Sequence, residues 1–185
     1  MELTGERTIP ATVDETWAAL NDPETLKACV AGCESLEKVA DDAFVAVVAL
    51  KIGPVSARFK GNLKLTNVEP PTRYTINFDG QGGVAGFGRG SADVALTRLD
   101  AASTRLAYTA RATVGGKMAQ IGSRLIDATA TKITDDFFRA FEAQLQARVP
   151  GAPPLVAVPE RVPVTAFDWV LAAIVLAVTA FVILR

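Results

Sequence analysis

The sequence predicts an α+β domain in which an antiparallel sheet of six to seven strands curves around a long C-terminal helix, with one transmembrane helix after it. Three patterns support this prediction. Apolar and polar residues alternate over much of 2–112, which is typical of strands with one buried face. From residue 117 the apolar residues recur at helical spacing. Residues 169–184 are apolar on every side of a helix.

The first elements are a strand and two short helices. Residues 2–9 alternate as a strand does, and Pro10 ends it. Asp14 is predicted to cap a helix over 15–20, because a side-chain oxygen there satisfies free backbone N–H groups. Pro23 is suited to the first turn of a second helix, which we expect to run to about residue 28.

The remaining strands follow one after another, as in a meander of hairpins. The clearest pattern is 56–68, where apolar residues alternate with Arg, Lys and Asn, so one face is buried and the other solvated. Asp41-Asp42 and Pro70-Pro71 are predicted turns. The other strands are predicted near 35–39, 44–52, 74–78, 94–96 and 106–112.

After Gly115-Gly116 the pattern predicts one amphipathic helix of about thirty residues. A helix of this length buries its apolar stripe only by lying across the sheet, which is the helix-grip arrangement. Such a sheet tends to leave a cavity beneath the helix. The residues predicted to bind a ligand there, each of which also suits a packed core, are Phe44, Phe59, Phe78, Phe87, Tyr108, Met118, Ile121 and Leu125.

The glycine-dense stretch 80–90 suggests a phosphate-binding loop at first sight. That motif requires a helix directly after the loop, whereas strand-like sequence follows here, so nucleotide binding is disfavoured. Two interpretations stay open. Either the stretch is a hairpin with glycines at positive φ, or it is also a flexible lip that exposes Phe87 beside a pocket.

Composition restricts the chemistry. The chain has no histidine, which excludes Ser-His-Asp and Cys-His catalysis and His-ligated metals. Cys29 and Cys33 are predicted to be small buried residues, since two thiols make only half a zinc site. The formal net charge of −1 gives no basis for nucleic-acid binding. An enzyme would depend on Tyr108 and on carboxylates, with Asp79 and Asp93 predicted nearest to the cavity.

The C-terminal part of the chain predicts a membrane tether. A helix over 169–184 covers about 24 Å, close to the hydrocarbon thickness of a bilayer. The proline-rich stretch 149–165 is typical of an extended spacer. No signal peptide is predicted at the N-terminus, so we expect a tail-anchored, single-pass protein of the cell inner membrane with its N-terminal domain in the cytoplasm. The predicted divisions are a ligand-binding domain at 1–148, the linker at 149–165 and the transmembrane anchor at 166–185.

Several stretches resemble the CoxG family, named for the G subunit of carbon monoxide dehydrogenase, within the START-like superfamily. At position 31 an alanine stands where the family usually has proline, which predicts a looser turn. The resemblance spans about residues 1–147 and implies a START-like ligand-binding domain. The stretches are ELTGER at 2–7, NDPETLK at 21–27, GCESL at 32–36 and GGKMAQIGSRLI at 115–126.

The resemblance also implies a partner, a molybdenum-containing carbon monoxide dehydrogenase or a related hydroxylase. Three functions then compete. The domain takes a quinone (menaquinone or ubiquinone) or another lipid from the membrane and presents it to that enzyme, so that electrons reach the quinone pool. Alternatively it recruits or helps to assemble the enzyme without binding a ligand. The third is a carboxylate-based enzyme, although catalysis by this chain itself is the least expected.

Overall fold

A computed structural model describes residues 2–148 as one sheet of seven antiparallel strands with helices packed on one face. The predicted sheet and C-terminal helix are confirmed. The predicted linker 149–165 and transmembrane helix 166–185 lie outside the described residues. The elements are β1 Glu2–Ile9, α1 Val13–Leu20, α2 Pro23–Cys29, β2 Cys33–Ala40, β3 Ala43–Ile52, β4 Val55–Glu69, β5 Arg73–Gln81, a 3₁₀ turn Gly83–Ala85, β6 Phe87–Arg98, β7 Thr104–Gly115, α3 Lys117–Gln120 and α4 Ser123–Arg148.

The strand order is β1-β7-β6-β5-β4-β3-β2, so every neighbouring pair is a hairpin except β1 with β7. The register places Gly5 opposite Tyr108, Tyr108 opposite Val94, and Val94 opposite Tyr74. These four residues therefore form one row across the inner face, the face that the helices cover. None of the helices within 2–148 is long and apolar enough to cross a membrane.

The first helix begins differently from the prediction. Thr12, and not Asp14, is its N-cap: the Thr12 hydroxyl accepts a hydrogen bond from the Glu15 N–H at 3.3 Å. The Glu15 carboxylate in turn accepts one from the Thr12 N–H at 2.9 Å. This reciprocal capping box requires Thr and Glu three residues apart, a spacing that Asp14 does not offer. The second helix begins at Pro23 as predicted, with Asp22 as its cap.

The predicted thirty-residue helix is also wrong in one respect, because it is broken near its start. The short α3 ends at Gln120, and α4 begins at Ser123. Gly122 lies between them with φ +94°. That backbone conformation is disfavoured for residues with a Cβ and cannot continue a right-handed helix.

The core lies between the inner face of the sheet and the helices. Phe59, Ile9 and Leu106 of the sheet are almost inaccessible to solvent, as are Met118 of α3 and Phe141 of α4. On α4 the rings of Phe137 and Phe141 stack with centroids 5.7 Å apart. Burial of one such side chain contributes about 2–3 kcal/mol, so α4 is held to the sheet chiefly by its aromatic residues.

Candidate ligand-binding site

A closed apolar cavity of about 80 Å³ lies between the sheet, α1, α2 and the middle of α4. Its wall is aliphatic and aromatic, and the only polar side-chain atoms that it offers are the hydroxyls of two tyrosines. The lining residues are Leu20, Leu26, Val30, Leu36, Phe44, Leu63, Leu65, Tyr74, Ile76, Val94, Leu106, Tyr108, Phe137 and Phe138.

Aromatic rings form two sides of this cavity. Tyr108 of β7 stacks on Phe138 of α4 with ring centroids 6.0 Å apart, and Phe137 meets Phe138 edge to face at 5.4 Å. On the other side Tyr74 of β5 contacts Trp17 of α1 edge to face at 5.2 Å. Such pairs stabilise each other beyond simple burial, and they present flat faces against which a planar ring can pack.

The two tyrosines supply the polarity. Burial raises the pKa of Tyr74, so its phenol stays protonated at physiological pH and can donate a hydrogen bond. Tyr108 lies against β1 at a position without a side chain. A Cβ on Gly5 would lie 2.1 Å from the Tyr108 Oη, so glycine is needed at this position for the ring to lie where it does.

A charged seam between β1 and α4 borders the cavity. Arg7 forms an ion pair with Asp135 of α4, and its guanidinium lies 5.4 Å from the centre of the Phe138 ring. Burial raises the pKa of the nearby Glu142, and the positive charge of Arg7 partly offsets this. The Arg7 Nε is buried and has no hydrogen-bond partner among residues 2–148. The seam thus connects the edge strand β1 to the helix that carries Phe138.

The structure separates the residues that the sequence predicts as ligand contacts. Phe44 and Tyr108 line the cavity. The next three, Phe59, Phe78 and Met118, are buried in the core outside the lining, and Ile121 is half-buried. Leu125 is 40% exposed and Phe87 is 39% exposed. Contact with a ligand stays a prediction for all eight residues.

The exposed position of Phe87 follows from its strand. In β6 the inward residues are Gly88, Ala92 and Val94, so Phe87 points to the outer face with Arg89. The loop before it is the predicted hairpin, and Gly83 and Gly86 have φ values of +54° and +120°. The hairpin interpretation of the glycine stretch is therefore confirmed. Phe87 does not lie beside the cavity.

Most of the lining residues were not predicted from the sequence. Leu63, Leu65 and Val94 have the same inward strand parity as Phe44, which was the available signal. On α4, Phe137 belongs to the predicted apolar stripe, whereas Phe138 lies outside it. Phe138 is buried because it lies beneath Arg7 and against Tyr108.

The carboxylates expected near the cavity are not there. Asp79 and Asp93 are exposed on the outer face, and Asp93 accepts a hydrogen bond from the Thr75 hydroxyl at 2.6 Å. Strand parity places them opposite to Tyr74 and Val94, so the predicted proximity to the cavity is wrong. Cys29 is buried as expected, Cys33 is half-buried, and both are free thiols. In the described part of the chain no three His, Cys, Asp or Glu side chains are grouped as metal ligands.

Comparison with solved structures identifies the fold. A conserved protein of Geobacillus kaustophilus is 32% identical, with 80% of this chain and 96% of that chain covered and a TM-score of 0.75. The Zhui aromatase/cyclase of Streptomyces sp. R1128 is 15% identical (84% and 99% covered, TM-score 0.63). A START superfamily protein of Mycobacterium smegmatis is 11% identical (80% and 99% covered, TM-score 0.62). The last two show the shared helix-grip fold alone.

The sequence itself gives a more specific result. A comparison with curated proteins yields no significant match. The family model of CoxG, the G subunit of carbon monoxide dehydrogenase, however, matches residues 5–146, which is nearly all of the described domain. The resemblance seen in the sequence motifs is thereby confirmed, and the chain belongs to the CoxG family of carbon monoxide dehydrogenase.

Proposed function

We propose that this domain takes a quinone, or another lipid of similar chemistry, into the cavity beneath α4 and serves a molybdenum-containing carbon monoxide dehydrogenase or related hydroxylase as a membrane-tethered accessory protein. The observation that supports the proposal is the closed apolar cavity with aromatic walls, in a member of a family named after a component of that enzyme. An apolar enclosure favours molecules that water excludes.

The chemistry of the partner explains why a carrier is useful. Oxidation of CO by water yields CO₂, two protons and two electrons, and a quinone takes up two electrons and two protons to become a quinol. The enzyme is soluble, whereas the quinone resides in the bilayer. The predicted anchor and linker would hold the domain at the membrane at high effective concentration. In this scheme catalysis belongs to the partner, and this chain only binds and presents the acceptor.

The lining suits such a ligand in kind. A quinone is a flat ring with two carbonyl oxygens that accept hydrogen bonds, and the protonated phenol of Tyr74 is a donor. Phe137 and Phe138 offer faces for the ring. Ubiquinone and menaquinone share these features, so the proposal covers both.

Uptake must enlarge the cavity. Its volume of about 80 Å³ is below the roughly 300 Å³ at which pockets for small molecules begin. The sheet resists expansion, because widening it would break ladders of hydrogen bonds. The helices are held by side-chain packing alone, so α1, α2 and α4 are the elements that we expect to move.

Trp17 provides a test, because quinones quench tryptophan fluorescence on contact and Trp17 touches the cavity residue Tyr74. The full chain is placed in lipid nanodiscs with or without menaquinone or ubiquinone. Trp169 is changed to Phe, which leaves Trp17 as the single tryptophan. We expect quinone to lower the Trp17 emission markedly. Quinone that stays in the bilayer would leave the emission unchanged and contradict the proposal.

A matched pair of variants ties the quenching to the cavity. Val94→Phe adds bulk directly between Tyr74 and Tyr108 and should abolish most of the quenching. Ala95→Phe places the same ring on the exposed outer face of the same strand and should quench as the parent does. Equal quenching of the two variants would show that the quinone binds elsewhere.

The alternative function, recruitment or assembly of the enzyme without a ligand, is consistent with the small volume of the cavity. The Val94→Phe variant distinguishes the two. Under quinone delivery it still co-sediments the enzyme with membranes, but CO-dependent quinone reduction fails. Under recruitment alone both activities survive. The third candidate, a carboxylate-based enzyme, has little support, since Asp79 and Asp93 lie on the outer face. Turnover of a substrate by the purified chain would restore it.

A further inference from the structure

Three separate turns meet at one end of the domain, which we call the glycine end (residues 51–54, 82–89 and 115–125). The β3–β4 turn touches the start of α4, because a Cβ on Gly53 would lie 2.9 Å from the Leu125 Cδ2. The β5–β6 turn touches the β7–α3 junction, because a Cβ on Gly116 would lie 2.4 Å from the Gly86 Cα. The three turns therefore form one continuous surface.

This surface exposes apolar side chains from two of the three turns. Val84 is 83% exposed, Leu125 is 40% exposed and Phe87 is 39% exposed. Isolated exposed apolar residues are ordinary on protein surfaces. Neighbouring ones on adjoining turns are different, since together they make a patch of the kind that contacts a partner or a membrane.

Basic residues surround the patch. Lys51, Lys117 and Arg124 are exposed and form no ion pair with any residue of 2–148. The Arg89 guanidinium lies 5.9 Å from the centre of the Phe87 ring. An apolar tip within a ring of uncompensated positive charge complements an anionic lipid surface, where phosphates meet the cations and the acyl boundary accepts the apolar groups.

The opposite end makes a natural comparison. Its turns also expose apolar residues, with Val39 at 58% and Leu99 at 49%. The charges in its turns are mainly acidic, because Asp41 and Asp42 lie in the β2–β3 turn and Asp100 follows β6. Exposure of apolar side chains is thus common to both ends, whereas the basic ring occurs at the glycine end.

We propose that the glycine end is a docking surface for an anionic lipid bilayer. Val84, Phe87 and Leu125 enter the interfacial layer, and Lys51, Lys117 and Arg124 contact lipid phosphates. This goes beyond the proposed function, because it requires neither a ligand in the cavity nor the partner enzyme. Docking at this end gives the domain a fixed orientation on the membrane, which a tether alone does not supply.

The test measures which end of the full chain meets lipid. An environment-sensitive fluorophore is attached at Val84→Cys, with Cys33→Ser removing the more accessible native thiol. The protein is reconstituted into phosphatidylcholine vesicles with or without phosphatidylglycerol, both containing a spin-labelled lipid as quencher. We expect blue-shifted and several-fold more quenched emission in the anionic vesicles, and loss of this effect at high salt. The same label at Leu99→Cys should be unaffected by phosphatidylglycerol.

Charge reversal tests the role of the basic ring. Lys51→Glu, Lys117→Glu and Arg124→Glu together should reduce the quenching at residue 84 to the level seen in neutral vesicles. The matched control changes the net charge equally at exposed residues outside the glycine end, Lys27→Glu, Arg98→Glu and Arg105→Glu, and should keep the quenching.

Three results would overturn the proposal. Labels at 84 and 99 are quenched equally, or the two triple variants behave alike, or the label at 84 responds only when the partner enzyme is added. The last result would assign the surface to a protein partner. The outcome is independent of the Trp17 quenching experiment, which reports on the cavity and not on the docking surface.

Discussion

Gly5 and Tyr108 face each other across the β1–β7 pair, and the position of the Tyr108 ring depends on the missing side chain. In Gly5→Ala the new Cβ would overlap the phenol oxygen and the ring carbon next to it, at 2.1 and 2.4 Å. The ring must move against Phe138, so we expect the free energy of unfolding to fall by about 1–3 kcal/mol, the usual cost of overpacking. Urea denaturation measures this loss.

Two further variants test the explanation of that loss. Thr4→Ala changes the neighbouring, exposed position on the outer face and should be nearly neutral. Adding Tyr108→Leu to Gly5→Ala removes the atoms that clash, so the double variant should lose less than the sum of the two single losses. Additive losses would mean that the two residues are not in steric conflict.

At this scale the sequence could predict the facing of a residue but not its role. Phe44 and Phe59 show the same alternation, and both point inward as predicted. Only Phe44 reaches the cavity, because lining depends on where α4 crosses the sheet and leaves a gap. Phe87 follows a glycine turn that resets the alternation, so its face could not be predicted from the strand before it.

Among the helices, the break before α4 rests on one residue. Gly122 has φ +94°, and a Cβ there would meet no atom within 4 Å. Gly122→Ala therefore introduces backbone strain without a clash, and we expect a loss of about 1–2 kcal/mol in the free energy of unfolding. Gly122→Asn should lose less, since Asn tolerates positive φ better than Ala does. Thermal and urea unfolding of both variants measure the difference.

The ranking of these two variants is the informative result. Equal losses would point to an effect other than backbone conformation, and a neutral Gly122→Ala would mean that the chain between α3 and α4 can adopt an ordinary conformation. The sequence did not reveal this break, because Met118, Ile121 and Leu125 keep a helical spacing across Gly122. The break follows from the glycine, whose preference a periodic pattern cannot register.

For the whole molecule, order and pairing followed from the sequence, whereas the interior volume did not. Alternation and turn residues predicted the meander, and the long apolar stripe predicted a helix across it. The size of the gap under Phe137 and Phe138 depends on side-chain packing to within an ångström, which no pattern encodes. The resulting cavity of about 80 Å³ makes ligand uptake a question of how the helices move.

Hydrogen exchange of the full chain in nanodiscs addresses that movement. If α2 and α4 must separate from the sheet to admit a quinone, amides that exchange only when these helices open should be protected by the bound ligand. At a free quinone concentration about 100 times the dissociation constant, linkage predicts exchange slower by about 100-fold. Amides around Phe137 and within α2 report this, and the β6–β7 turn near Asp100, away from the lining, should exchange as before. Uniform protection of the whole domain would instead indicate global stabilisation, and an unchanged pattern would favour recruitment of the enzyme without a ligand.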